Sequence, residues 1–315
     1  MGLDRGAIAH SADRADSVVV MSERLCLLTV HAHPDDESSK GAATVARYHA
    51  EGVHTVLVCC TGGEEGDILN PAMDLPHVRA DIGAVRMKEL EEATRIIGFD
   101  EVALLGYRDS GMPESPANAH PESFHTAPIE EAIGRLVGVI RRVRPQVLIC
   151  YPEDQRGYRH PDHIRVHEIT VAAFDAAADP EAYPEAGEAY APLKLYYSAN
   201  SRASFLERHQ KFLDLGLESP YAERIAKGGF NDRGAEPEPE PSTRIDLTGF
   251  QQVRRLALLA HATQIDPTSM GWFGLPDEVE FELHSHDAFI LAKTRIPVEG
   301  VEDDLFNGVR ESVSS

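Results

Sequence analysis

The sequence predicts an α/β chain: a mostly parallel sheet flanked by helices, with a smaller C-terminal α+β portion. Three observations predict this. Apolar runs of strand length alternate with stretches of helical spacing from residue 25 to about residue 200. Those runs are apolar throughout, as in strands buried on both faces. The connections between them are short, and strand–helix–strand alternation of this kind closes as right-handed βαβ units.

Residues 1–22 are polar and aperiodic and read as a flexible extension. Residues 25–30 (LCLLTV) read as the first strand. A helix is expected over 41–51, closed by Gly52, then a second strand over 53–60. Over 79–97, Ile82, Val85, Leu90, Ala93 and Ile97 share one helical face, and Gly98 ends it. A short third strand (102–105) precedes a helix over 129–143 that Pro145 stops. The fourth strand covers 147–150, a helix 162–178, and the fifth strand 193–198. After residue 200 the pattern weakens. GAEPEPEPS (234–242) reads as a solvated loop. A strand is expected at 243–247 and a helix over 248–265 with Thr248 as its N-cap. The expected organisation is a catalytic domain over 23–200, a pocket-forming portion over 201–297 packed on it, and an acidic, frayed tail over 298–315. Neither a Gly-x-Gly-x-x-Gly after the first strand nor a Walker-type lysine loop is present, which counts against dinucleotide and P-loop readings.

With 315 residues the chain can bury a sizeable core in one large domain or two modest ones. Thirty basic and 52 acidic residues give a net charge of −22. Such a surface repels phosphate backbones, so nucleic acid and anionic membrane surfaces are poor partners. No run reaches the 18 apolar residues of a bilayer span. Cys26, Cys59, Cys60 and Cys150 sit in strand-like runs without metal-knuckle spacing and read as buried thiols of a reducing compartment. The apolar run 18–21 is too short for a secretory signal, so a cytoplasmic location is the expectation. The charge speaks for solubility and not for subunit number.

Two clusters carry the chemistry. His31, His33, Asp35, Asp36 and Glu37 follow the first strand; Tyr158, His160, Asp162 and His163 follow the fourth. Ligands of a parallel sheet gather beyond the carboxyl ends of its strands, so the clusters are expected at one end. Imidazole and carboxylate without thiolate suit zinc or iron(II). A catalytic ion takes about three protein ligands and leaves a position for water, whose pKa it lowers towards neutrality. His33, Asp36 and His163 supply two nitrogens and a carboxylate. His31 shares a strand face with His33, and His167 lies one helical turn past His163, so both remain open as ligands. Asp35 can act as general base. His160 and Asp162 read as a second unit, the carboxylate orienting the imidazole and the imidazole serving an oxyanion or a leaving amine. Taken singly, each cluster reads more simply as a turn or a proline-started helix; their pairing argues for a metal site.

HPDDE (33–37) and HPDH (160–163) together resemble the paired motifs of the LmbE-like (PIG-L) zinc N-deacetylase superfamily, whose members hydrolyse amides on the amino group of glucosamine derivatives. The likeness extends to the mycothiol S-conjugate amidase branch through residues 31–44, 61–74, Asp109-Ser110-Gly111, 157–163, 194–197 and 261–267. It spans residues 25 to about 297; residues 207–241 match little.

The resemblance implies a Rossmann-like sheet and Zn2+, with Fe2+ as an alternative, on His33, Asp36 and His163. Asp35 would be the base, His160 would assist the oxyanion or leaving group, and Asp162 would orient it. Tyr158 would close over the carbonyl, and Arg86 and Asp109 would hold sugar or inositol hydroxyls. Lys40 matches a lysine of the conjugate amidases. The implied reaction cleaves the amide between glucosaminyl-inositol and the N-acetylcysteine of a mycothiol S-conjugate, a small molecule, giving a mercapturic acid. It would serve detoxification or the tailoring of a natural product. The alternatives are the N-acetylglucosaminyl-inositol deacetylase of mycothiol biosynthesis and a non-catalytic, metal-containing sugar-binding protein. Asp35, which a binder does not need, argues against the second. The scarcity of cations near the motifs argues against a phosphoesterase.

Overall fold

A computed structural model describes residues 24–153, 158–199, 202–228 and 239–313. The expected extension 1–22 and residues 234–238 of the acidic loop lie outside the described residues. The apolar runs become strands β1 (Cys26–His31), β2 (His54–Thr61), β3 (Glu101–Tyr107), β4 (Val147–Cys150) and β5 (Lys194–Ser198), followed by β6 (Thr243–Asp246) and β7 (His286–Thr294). Helices α1 (Asp36–Ser39) and α2 (Ala42–Ala50) follow β1. α3 (Pro76–Ala80) and α4 (Ile82–Ile97) follow β2, α5 (Ile129–Val143) follows β3, and α6 (Pro161–Ala176) follows β4. α7 (Arg202–Asp214) and α8 (Ala222–Ala226) precede β6. α9 (Gln251–Ala260), α10 (Met270–Phe273) and α11 (Asp277–Leu283) separate β6 from β7, and α12 (Val309–Val313) comes last.

The strands form one seven-stranded sheet in the order β3-β2-β1-β4-β5-β7-β6. The first five are parallel; β7 runs antiparallel to both β5 and β6. The chain leaves β1 towards β2 on one side and returns to β4 on the other. The carboxyl ends of β1 and β4 therefore flank a topological switch point, where a crevice opens. Alternation along β1 supplies both faces of the sheet. Leu28 and Val30 pack with Ile133, Leu136, Val166 and Ile169 of α5 and α6. Leu27 packs with Val45, Ala93 and Ala257 of α2, α4 and α9. Burying each such aliphatic side chain is worth about 1.5–3 kcal/mol. All four cysteines are free and buried, and no helix among the described residues is long and apolar enough to cross a membrane.

The structure departs from the sequence reading in four places. The expected helix 79–97 breaks at Asp81, whose side chain caps α4 by accepting the Ala84 N–H at 3.1 Å. Thr248 does not cap α9: its N–H and hydroxyl turn back to Asp246, and Phe250 takes the N-cap position. β7 was not expected at all. The tail is not frayed over its described length: Leu305, Phe306 and Val309 are buried in the α2/α9 face of the core. Glu302 is buried against the sheet, where its Oε1 accepts from Lys194 Nζ at 2.6 Å and its Oε2 from the Tyr196 hydroxyl at 2.7 Å. The acidic tail supplies the counter-charge that lets a lysine stand, fully buried, in β5.

Candidate metal centre and active site

The last residue of β1, His31, is buried, and its Nδ1 meets the Tyr151 hydroxyl at 3.0 Å. Burial pushes its pKa down to about 4. His167 Nδ1 is bonded to the Tyr151 carbonyl at 3.0 Å. These bonds explain both histidines as structural, and neither joins a metal-capable cluster among the described residues.

Four residues past β1 the chain turns sharply. Asp35 adopts φ 119° and ψ −25° ahead of α1, a conformation that costs an ordinary residue of the order of 1–3 kcal/mol. The turn folds Asp36 back so that its Oδ2 accepts the His33 N–H at 3.0 Å and stands 3.4 Å from His33 Nδ1. Across the switch point, Pro161 opens α6 and brings His163 into its first turn, with Nε2 3.3 Å from the same Asp36 oxygen. His33, Asp36 and His163 thus present one nitrogen, one oxygen and one nitrogen, all buried and within 4.8 Å of one another. Ligands 2.0–2.2 Å from a tetrahedral ion lie about 3.4 Å apart, so the spacing and chemistry of this set fit a divalent cation. His163 Nδ1 meets no hydrogen-bond partner among the described residues; the ring is held by stacking on Tyr151, centroids 4.6 Å apart.

The surrounding charges support the same reading. Burial opposes ionisation of Asp36, but Lys40, whose Nζ donates to Oδ1, and His163 hold its carboxyl well below the usual range. Burial lowers the pKa of His163 and favours the neutral, ligating ring. Burial also disfavours charge on His33, yet hydrogen bonding to Asp109, Asp162 and Asp36 drives its pKa well up. The field that favours a positive charge at His33 equally favours a bound cation.

Three of the expected site residues meet partners that the sequence did not suggest. Asp162 does not orient His160 through its carboxylate. Its Oδ2 faces His33 Nε2 at 3.1 Å and accepts the Ser110 N–H at 3.0 Å, while its Oδ1 takes the Ser110 hydroxyl. It is the backbone N–H of Asp162 that donates to His160 Nδ1, at 3.2 Å, because His160 is the N-cap of α6. With Nδ1 accepting, the proton sits on Nε2, 4.0 Å from Asp109 Oδ1. Burial first, and then the His33 charge, lower the His160 pKa to about 4. His160 therefore presents a neutral N–H donor.

Arg86 and Asp109, expected to hold substrate hydroxyls, are both buried and turned inward. Arg86 donates to the Gly63 carbonyl at 2.8 Å, the Pro34 carbonyl at 2.6 Å and Asp35 Oδ2 at 2.9 Å. Gly63 is required there: its φ is +69°, and a Cβ would lie 2.3 Å from Arg86 Nη1. Asp109 Oδ1 accepts the Gly111 N–H at 2.8 Å and stands 3.5 Å from His33 Nε2. Asp35 is half-buried; burial raises its pKa against the pull of Arg86, the direction that suits a base. Tyr158 is 48% exposed, its ring centroid 5.2 Å from that of His163, on the open side of the cluster.

Sequence reasoning gave no role to Tyr151 or Ser110. Tyr151 is the first residue past β4, so its position at the strand end was the available signal. Ser110 stands beside Asp109, and only the register of the loop reveals its grip on Asp162.

The fold thus brings together a buried His/Asp cluster suited to a metal ion at the carboxyl end of its parallel strands. The pattern "PIG-L: GlcNAc-PI de-N-acetylase" matches residues 28–174. A mycothiol S-conjugate amidase of Streptomyces coelicolor is 45% identical over 93% of this chain and 100% of its own. A 1D-myo-inositol 2-acetamido-2-deoxy-alpha-D-glucopyranoside deacetylase of Catenulispora acidiphila is 38% identical over 90% of this chain and 89% of its own. Among solved structures, the N,N'-diacetylchitobiose deacetylase of Pyrococcus horikoshii shares the fold: TM-score 0.59, 16% identity, 85% of this chain and 84% of that one. The chain belongs to the PIG-L family.

Proposed function

We propose that this enzyme cleaves the amide between glucosaminyl-inositol and the N-acetylcysteine of a mycothiol S-conjugate, releasing a mercapturic acid. The observation that supports hydrolysis is the approach of His33 Nδ1 and His163 Nε2 to the same Asp36 oxygen, Oδ2, beside the half-buried Asp35. The conjugate as substrate is supported by the 45% identity with the amidase over that protein's full length, against 38–40% for deacetylases such as those of Catenulispora acidiphila and Thermobifida fusca. Lys40, which donates to Asp36 at the edge of the cluster, matches the lysine that the resemblance associates with the conjugate amidases.

Zn2+ or Fe2+ held by His33, Asp36 and His163 would acidify a water and polarise the amide carbonyl. Asp35 takes the proton of the attacking water and passes it to the departing amine. His160 Nε2–H donates to the oxyanion, and Tyr158, on the solvent side, closes over it. Asp162 fixes the His33 ring through Nε2, the arrangement that keeps a ligating nitrogen basic. Arg86 holds Asp35.

The test is turnover of a mycothiol bimane conjugate beside N-acetylglucosaminyl-inositol, using protein stripped with a chelator and reloaded with Zn2+ or Fe2+. Preference for the conjugate, lost on stripping and restored on reloading, supports the proposal. Preference for the acetylated sugar assigns the biosynthetic deacetylase reaction instead. Metal binding without turnover of either overturns the catalytic reading.

A further inference from the structure

The segment that follows α9, His261-Ala262-Thr263, takes no part in the reaction as set out, yet it is tied down like a part of the site. His261 is fully buried and its Nε2 lies 2.6 Å from Glu37 Oε1. Glu37 is itself buried, and its other oxygen, Oε2, accepts the backbone N–H of Asp35 at 2.9 Å. The Ser38 hydroxyl donates to Glu37 Oε1 as well. His261 Nδ1 has no partner among the described residues, so the ring makes a single hydrogen bond, the one to Glu37. The segment is clamped from two further sides. Thr263 gives its N–H and its hydroxyl to the two oxygens of Glu89 on α4, each at 2.7 Å. Asn70 donates to the Ala262 carbonyl at 2.9 Å, and Leu69 N–H to the Thr263 carbonyl at 2.8 Å.

This chain of contacts ends on the one residue of the site whose backbone is strained. A non-glycine residue at φ 119° persists only where its surroundings over-determine it. Arg86 holds the Asp35 side chain and the preceding carbonyl; Glu37 holds the Asp35 N–H. His261 in turn holds the other oxygen of Glu37, from 224 residues further along the chain.

We propose that Glu37 and His261 form a positioning pair that holds Asp35 in its working conformation, which makes the 261–263 segment a functional part of the active site. The proposal rests on the reading of Asp35 as the base. Neither residue touches substrate; both act through Asp35.

The test is a kinetic double-mutant cycle on the mycothiol bimane conjugate, or on N-acetylglucosaminyl-inositol if that is the better substrate, with Zn2+ affinity measured alongside. His261→Leu should lower kcat about 10- to 100-fold, the scale of a misplaced catalytic group, with KM and Zn2+ affinity nearly unchanged. His261→Gln, which restores an N–H donor, should recover most of the loss. In an Asp35→Asn background His261→Leu should cost nothing further. If His261→Leu does not fold, Glu37→Gln takes its place in the same cycle. Losses that multiply in the double variant, or a fall in Zn2+ affinity that matches the fall in kcat, overturn the positioning pair and leave the base standing. Full turnover by Asp35→Asn alone overturns the base assignment, and the pair with it.

Discussion

Replacing Asp162 by Asn separates two accounts of that residue. Its carboxylate is fully buried and meets three donors: His33 Nε2, the Ser110 N–H and the Ser110 hydroxyl. An amide oxygen in the Oδ2 position keeps the first two. The amide NH2 then faces Ser110 Oγ, which can turn from donor to acceptor. The geometry survives and only the charge is lost. Removing a buried carboxylate behind a metal-ligating histidine typically costs 10- to 100-fold in metal affinity, about 1.4–2.8 kcal/mol. Asp162→Asn should therefore weaken Zn2+ binding by about that factor and leave kcat at saturating metal within a few-fold of the parent. Competition between the protein and a chromogenic chelator measures the affinity; turnover in excess Zn2+ measures kcat. Asp162→Ala should be worse in a different way, because it strands three buried donors at about 1–3 kcal/mol each. A ten-fold or larger drop in kcat for Asp162→Asn, with Zn2+ affinity unchanged, would refute the reasoning and return Asp162 to His160.

Three further outcomes are expected. Glu302→Ala leaves Lys194 charged and buried and should cost about 3–5 kcal/mol in urea unfolding, whereas Lys194→Met with Glu302→Leu should recover most of it; a loss below about 1 kcal/mol would contradict the buried pair. Gly63→Ala drives a Cβ into Arg86 and should lower kcat about ten-fold or more through Asp35 while metal content holds; unchanged kinetics would show that Arg86 does not set Asp35. Burial opposes the charge on Asp304, but Arg310, the Phe306 N–H and Tyr48 hold its pKa down in the fold. Its contribution to stability is therefore present above the unfolded value near 3.9 and lost as pH falls through the depressed folded one. Asp304→Asn should be less stable at pH 7 and lose less on acidification, read from urea midpoints between pH 7 and pH 3.

Much of this site was legible because parallel strands deliver their chemistry at fixed places. The runs 25–30 and 147–150 announced β1 and β4, and the residues after each could be placed at one end of the sheet before any coordinates. The helices over 129–143 and 162–178 were readable for the same reason: proline, glycine and apolar spacing act locally. Partnership was not. Nothing in HPDH tells whether Asp162 turns towards its neighbour His160 or across 129 residues to His33; the loop carrying Ser110 decides it. The environment of Arg86, two backbone carbonyls and Asp35, was equally invisible to spacing. β7 escaped notice because HDAFILAKT carries neither a clean two-residue alternation nor flanking turn residues strong enough to mark it. The tail looked disposable because its acidity suggests solvent, and only Lys194, 108 residues earlier, reveals what Glu302 is for.

That last contact has a consequence during synthesis. β5 lies inside the sheet, yet the lysine within it has no counter-ion until residue 302 leaves the ribosome. At about 5–20 residues per second the delay is roughly 5–20 s. Over that interval the parallel half of the sheet, with both halves of the metal cluster, is already made but carries an unmatched ammonium where β7 has still to dock. The nascent chain is therefore held back from its final state by charge as well as by missing strands. A chain cut short before Glu302 should remain protease-sensitive even with its His/Asp cluster complete, and released chains ending on either side of that residue should differ sharply in resistance to limited proteolysis.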